Sequence, residues 1–336
     1  FFTGLGIHMT QTVGLALAAD RATKETRPRV VALLYVMFLV GMGVSALILG
    51  ALLADFSKFR LIQVVQGAAV VTLVLNIIAV WKQEYVTPQT KAERVAPKPK
   101  FIETWQDFAK ERKIYMLMLV VFSGTAAFSM QDILLEPYGG EILGLSVSAT
   151  TLLTAVWVTG ALLGLGLAAK RFSQGNSPIK YCLLALVIGL IGFSGIIFSH
   201  PTGLLFLYFL GTCPIGFGAG LFGVCTLIIS MSVKETKGIG RGMALGAWGA
   251  SQATGAGLGI AMGGLIRDLV GNIAASGKLG VALNDKATGY LFVYHFEILL
   301  IFITIVLLGP LSQELNKQYR QKAIKRGSFG LVELPS

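Results

Sequence analysis

The 336 residues are 54% hydrophobic and only 13% charged, with a formal net charge of +11. Together with a mean hydropathy of +0.72, this excludes a water-soluble enzyme or binding domain, whose surface needs far more charge, and specifies a polytopic membrane protein. The basic excess is no sign of nucleic-acid binding either, because it is confined to particular connections between apolar runs.

A helix needs roughly 17 to 25 apolar residues to cross about 30 Å of hydrocarbon. Nine runs meet that requirement, at about 1–19, 29–53, 60–81, 114–131, 147–169, 179–198, 203–231, 241–266 and 289–311. Placing the first basic loop, Arg21 to Arg29, in the cytoplasm puts 23 of the 28 Lys and Arg residues on that side, eight of them between Lys82 and Lys113. Only Lys58, Arg60, Arg267, Lys278 and Lys286 fall on the other. This asymmetry obeys the positive-inside rule and predicts a cytoplasmic C-terminus. Cys182, Cys213 and Cys225 all lie inside apolar runs and read as small apolar residues, not as a disulfide framework or a metal cluster.

The first 55 residues set a pattern that the chain repeats. An apolar run containing His8 leads into the loop ADRATKETRPR, and a second apolar run ends at Asp55. The same design returns with the loop VKETKGIGR and a run ending at Asp268: Lys24-Glu25-Thr26 matches Lys234-Glu235-Thr236 at a spacing of 210, Arg29 matches Arg241 at 212, and Asp55 matches Asp268 at 213. Ordered matches within one helix-loop-helix pattern indicate an internal duplication. Four helices precede or lead into the second copy of the loop and one precedes the first, so three further helices are expected before Phe1, and twelve in the intact protein. Parallel halves joined by a cytoplasmic linker, with sites at their interface, are the architecture of major facilitator transporters. The expected fold is therefore an all-α membrane protein showing nine transmembrane helices. Residues 1–81 supply the last three helices of the N-terminal half, 82–113 the linker, 114–311 the complete C-terminal six-helix half, and 312–336 a cytoplasmic tail.

Taken in order, the linker begins polar and proline-containing and ends in FIETWQDFAKERK, where Phe101, Trp105 and Phe108 recur at helical spacing. That pattern predicts an interfacial amphipathic helix, either an ordinary entry to the next span or a partner-docking surface. After the span 114–131 comes MQDILLEPYGGEILGLS, with Asp132, Glu136 and Glu141 and no basic residue. It reads as an outer-face loop with Tyr138 at the membrane interface and a tight turn at Pro137 and Gly139-Gly140. Its role is either a plain acidic turn or a recognition or gating loop using Gln131, Asp132, Glu136 and Tyr138. Glycines four apart, at 160/164, 216/220 and 255/259/263, predict close helix packing. GLAAKRFSQG resembles the facilitator loop G-x-x-x-D-R-x-G with Lys170 in the acidic position, which removes the carboxylate expected to act in gating. His200, in FSHPTG, is expected in a solvated turn, and residues 267–288 form a long polar outer loop.

No protease triad, Walker loop, Cys/His metal spacing or paired-carboxylate site is present, so no catalytic or metal-binding residue is assigned. The candidates are the polar groups inside spans, each costly there. His8 lies about 16 Å from the cytoplasmic end of its helix at 1.5 Å per residue, near the bilayer midplane. Gln11 and Thr12 continue its polar face, and Gly4 one turn earlier leaves a flat opening beside the imidazole. A neutral imidazole is a good axial ligand, and a planar macrocycle can approach only where the residue one turn away is small. His8 is thus a candidate pigment ligand, with a hydrogen-bonded cavity histidine and a proton-coupling residue as the alternatives. His295 and Glu297 lie in the last span; Leu291, one turn before His295, makes the macrocycle argument poorer there.

Three stretches carry a family resemblance: GLGIHMTQTVGLALAADRATKETRPRVVALLYVM (Gly4 to Met37), ALLADFSKFRLIQVVQGAAVVTLVLN (Ala51 to Asn76) and QDILLEPYGGEILGLS (Gln131 to Ser146). The chain resembles the PucC/LhaA family of purple photosynthetic bacteria, the bacteriochlorophyll delivery branch of the major facilitators, over nearly its whole length. The resemblance implies a twelve-helix assembly factor for light-harvesting antenna complexes in the intracytoplasmic photosynthetic membrane. It would deliver bacteriochlorophyll to antenna polypeptides or chaperone them, in reach of the reaction centre-antenna complex. A proton-coupled secondary transporter of a small solute is the rival reading, with Glu297, His295 or His8 titrating during turnover.

Overall fold

A computed structural model describes residues 26–52, 57–81, 111–231 and 241–327, with scattered positions between 6 and 22. Every regular element among the described residues is helical: α1 (Arg27–Leu52), α2 (Lys58–Val80), α3 (Arg112–Ser129), α4 (Leu135–Glu141), α5 (Val147–Ser173), α6 (Pro178–Thr202), α7 (Leu205–Met231), α8 (Arg241–Ala275) and α9 (Ala287–Gly327), with short tight turns at Met130–Ile133 and Val281–Leu283.

Seven helical stretches among the described residues are long and apolar enough to cross a membrane, the first being Lys58–Val80. Of the other two expected spans, 29–53 coincides with α1, whose 26 residues extend about 39 Å at 1.5 Å per residue. The run at 1–19 is helical at its described positions, from Gly6 to Ala18. Large apolar side chains such as Ile191 and Val306 are 62% and 73% exposed, which hydrocarbon accommodates and water penalises. Gly4, His8, Lys24, Glu25, Asp55, the KET loop before Arg241 and the predicted amphipathic helix at 101–110 lie outside the described residues. Both basic loops are followed by a helix, α1 from Arg27 and α8 from Arg241, as the duplication requires.

The chain divides into two compact units, residues 36–101 and residues 1–35 with 102–336. In the smaller, Ser57 opens α2 by accepting a hydrogen bond from the Arg60 amide at 3.0 Å, an N-cap of the usual kind. The Arg60 Nε donates to the Leu52 carbonyl at 2.7 Å, satisfying one of the carbonyls that the end of α1 leaves unpaired.

The larger unit is a bundle whose helices meet backbone to backbone. Gly160 and Gly164 of α5 face the carbonyls of Cys213 and Phe217 on α7, and Gly216 and Gly220 of α7 face Trp157 and Ala161 on α5. A Cβ at Gly164 would stand 2.5 Å from the Phe217 oxygen. The expected close packing is thus a reciprocal pair, each glycine stripe receiving the other helix. The third stripe works alike: a Cβ at Gly255, Gly259 or Gly263 of α8 would come within 2.6, 2.8 or 2.9 Å of the carbonyl oxygens of Phe122, Ala126 and Met130, which place α3 against it. A contact the sequence reading did not single out joins α6 to α7, where Gly192 and Gly211 lie against each other. Between α3 and α9 the Thr304 hydroxyl donates to the Ser123 Oγ at 2.9 Å in the buried core.

Three expected loops prove to be helical. The stretch after α3 is a tight turn followed by α4, not an interfacial loop; Pro137 falls in the first turn of that helix, where its missing N–H costs nothing. The supposed long loop at 267–288 is helix α8 as far as Ala275, and the connection proper is short, turning at Gly277 and Gly280 with φ of +73° and +85°. His200 lies in the last turn of α6, which closes at Gly203 with φ +67°; its Nε2 stands 3.8 Å from Asp285. Residues up to Gly327 continue α9 beyond the apolar span.

Replacing Gly259 by Val forces α3 and α8 apart, whereas Gly257, whose Cβ would meet nothing within 4 Å, is a matched control on the same helix. We expect Gly259→Val to lose about 1–3 kcal/mol and Gly257→Val less than about 0.5 kcal/mol, read from thermal unfolding of the purified chain in detergent.

Candidate functional site

The corner between α3 and α4 brings Gln131 and Asp132 against Glu297 of α9. Gln131 is 2% exposed; its Nε2 donates to the Phe128 carbonyl at 3.3 Å and to the carboxylate of Asp132 next to it. Asp132 itself is exposed. Glu297 of α9 is fully buried, and neither of its oxygens has a hydrogen-bond partner. Among the described residues, its neighbours are the like-charged Asp132 and the backbone N–H of Gln131, which points toward it without a full hydrogen bond. A carboxylate in that position costs several kcal/mol unless something compensates it.

Four tyrosines surround this corner. The Tyr138 ring on α4 lies 5.7 Å from Tyr208 of α7, 5.5 Å from Tyr290 of α9 and, edge-on, 5.4 Å from Tyr294. These tilted arrangements are the ones the ring quadrupoles favour. Tyr290, Tyr294 and Glu297 follow at helical spacing and share one face of α9. All four rings are at most 1% exposed, so Tyr138 is a core residue and not the interfacial ring expected. Gly139 explains the difference: a Cβ there would stand 2.9 Å from the Tyr208 hydroxyl, and its absence lets α7 close over α4.

The hydroxyls fall into two groups. Tyr208 donates to the Leu135 carbonyl. Tyr290 donates to Glu141 at 2.8 Å and accepts from Arg267 at 2.6 Å. The hydroxyls of Tyr138 and Tyr294 are buried without a partner, although Ser199 faces that of Tyr138. Arg267 of α8 closes the cluster: it pairs with Glu141 at 2.8 Å and Asp268 at 2.7 Å, with its guanidinium carbon 4.5 Å above the Tyr290 ring. At 32% and 57% exposure for Arg267 and Glu141, the ion pair itself adds less than about 1 kcal/mol; the bonds to the buried Tyr290 fix its geometry.

Of the residues proposed from sequence, Gln131, Asp132 and Tyr138 are brought to one place with Glu297. Glu136 is not part of that group: on an exposed face it accepts from Thr154 of α5 at 2.9 Å. Gln11 is helical and half-buried, while its companions Gly4 and His8 lie outside the described residues. Tyr208, Tyr290, Tyr294 and Arg267 were not singled out, although the spacing of Tyr290, Tyr294 and Glu297 signals a common face. Among the described residues no group of three or more His, Cys, Asp or Glu could hold a metal ion. His295 stands exposed on α9 with Nδ1 2.7 Å from the Leu291 carbonyl. In metal-bound imidazoles a contact of this kind fixes the ring and leaves the other nitrogen for the metal.

A family model described as PUCC protein matches residues 1–315. The chain belongs to the PUCC protein family. This family is related to bacteriochlorophyll and light harvesting. The chain is 52% identical over 333 residues to a Rhodobacter capsulatus protein of the puhA-bchM intergenic region, a match covering 99% of this chain and 69% of that one. It is 46% identical over 269 residues to protein PucC of Rhodovulum sulfidophilum, covering 80% and 59%. A more distant relative, 26% identical over 271 residues covering 80% and 62%, is named the bacteriochlorophyll synthase 44.5 kDa chain of Rhodobacter capsulatus. The chain therefore spans about two thirds of the length of these curated relatives.

Removing the oxygen that crowds Gly139 tests the corner. We expect Tyr208→Phe to cost about 1 kcal/mol for its hydrogen bond, and Gly139→Ala to cost less in the Tyr208→Phe background than in wild type. A double-mutant cycle in thermal unfolding reads the coupling.

Proposed function

We propose that this chain acts as an assembly factor for bacterial light-harvesting antenna complexes. Its place is the intracytoplasmic photosynthetic membrane, and its plan is that of the major facilitators, two six-helix halves with the C-terminus in the cytoplasm. The observation that carries the reading is the family match over residues 1–315. The split of basic residues supports the orientation, and the duplicated loops support the two halves.

The partners on this reading are antenna polypeptides, with the reaction centre-antenna complex beyond them. The cargo is bacteriochlorophyll, delivered to antenna helices or held while they are shepherded. His8 would offer its imidazole to the pigment's central magnesium, Gly4 would leave room for the macrocycle, and Gln11 would supply a polar neighbour. The imidazole of His295 is exposed with one nitrogen at a backbone carbonyl, but Leu291 one turn before it leaves a macrocycle less room than Gly4 would leave beside His8. The corner at Gln131, Asp132, Glu136 and Tyr138 would recognise the partner or move with it. None of these roles makes or breaks a covalent bond, so the reading gives this chain no catalytic residue.

One observation favours the rival, a proton-coupled transporter of a small solute: Glu297 is a fully buried carboxyl within a span and has no hydrogen-bond partner. Such groups mark ion and proton pathways in membrane proteins. Gradient-dependent accumulation of a soluble substrate in vesicles would establish it.

The pigment role is tested by purifying the protein from pigmented cells and recording its absorption for wild type, His8→Ala and His295→Ala. Wild type is expected to carry bacteriochlorophyll, and His8→Ala to lose most of it. A colourless wild type, or a His8→Ala protein that keeps all its pigment, would contradict the assignment.

A further inference from the structure

Among the described residues, both oxygens of Glu297 and the hydroxyls of Tyr294 and Tyr138 are buried without a geometric hydrogen bond, with Ser199 facing the Tyr138 hydroxyl. Tyr138 and Tyr294 are in edge-on contact, and Tyr294 and Glu297 are one turn apart on α9. A bundle that packs its helices to the carbonyls elsewhere leaves four hydrogen-bonding atoms unused here, against the strong tendency of buried polar groups to be satisfied. All four are oxygens, and two belong to a carboxyl group. The set therefore calls for something with positive charge or protons to donate, small enough to enter a closed core.

Among the described residues no side chain around Glu297 does this, and the backbone N–H of Gln131 offers it a single proton. α3, α6, α8 and the turn Met130–Ile133 pack against α9. From the turn comes Asp132, a like charge. From α8 comes Arg267, which is already shared between Glu141, Asp268 and Tyr290. From α3 and α9 the buried Ser123 and Thr304 bond to each other. From α6 Ser199 faces Tyr138 while its own proton goes to the Ile196 carbonyl. α4 and α7 add Tyr138 and Tyr208, and on α9 itself His295 is exposed. Asp132 beside buried Glu297 adds a second carboxylate of the same charge.

We propose that Glu297, with Asp132 beside it and the Tyr294 hydroxyl one turn away on α9, forms a binding site for one small monovalent cation, a proton or Na⁺. The hard oxygen donors suit either ion, and either one relieves the buried carboxylate. The site stands whether the protein assembles antennae or moves a solute, because it follows from the unused oxygens alone.

A cation that binds only the folded protein raises its melting temperature with concentration. The full chain is purified in detergent, and its thermal unfolding is followed in two series: Na⁺ against choline at fixed ionic strength and pH, and pH at fixed Na⁺. Wild type is expected to gain several degrees along one series, Na⁺ for a sodium site and falling pH for a proton site. Glu297→Gln, which keeps the shape and removes the charge, is expected to be flat along that series, and Asp132→Asn to respond more weakly than wild type. If Glu297→Gln does not fold, Glu297→Asp and Asp132→Asn carry the comparison, with an altered midpoint expected in both. A wild type that responds to neither ion, or a Glu297→Gln protein that responds as wild type does, overturns the proposal.

Discussion

The larger unit depends on helices approaching until glycine touches carbonyl. Within hydrocarbon the hydrophobic effect offers no reason for helices to prefer one another over lipid, so dispersion across a closely fitted surface and a few interhelical hydrogen bonds must hold the bundle. The paired stripes Gly160/Gly164 and Gly216/Gly220, and the three glycines of α8 lying on α3, supply that fit. The hydrogen bond from Thr304 to Ser123 adds a directional contact at the level where α9 meets α3.

That tight scaffold gives the corner around Glu297 its meaning. Where helices fit so closely, a polar group left without a partner is not the result of loose packing. The corner also joins what is exposed to what is buried: Glu141 is exposed and held in a clasp by Tyr290 and Arg267, while Glu297, two turns from Tyr290 on α9, is fully buried beside Asp132.

Much of this was legible in the sequence, and the misses have physical causes. Helix existence followed from apolar run length alone, and close packing followed from glycines four apart. The partner of each stripe could not be read, because spacing identifies a face and not what covers it. Pro137, Gly139 and Gly140 are turn residues, so the stretch Met130 to Glu141 reads as a loop. In the bundle the proline sits in a first turn where it is harmless, and Gly139 serves the approach of Tyr208. Tyr138 was placed at the membrane interface on its amphipathic ring; three further tyrosines, distant in sequence, make the core a better environment for it. The sequence marks Glu297 as costly within a span, but which side chains surround it is a property of the fold.

The proposed function of this family member is a role in the building of antenna complexes. The most direct measurement is the near-infrared absorption of photosynthetic membranes from the bacterium that encodes it, with the gene deleted and then restored. The account predicts that deletion lowers the antenna bands relative to the reaction-centre bands and that the restored gene recovers them. An antenna spectrum unchanged by deletion would contradict it.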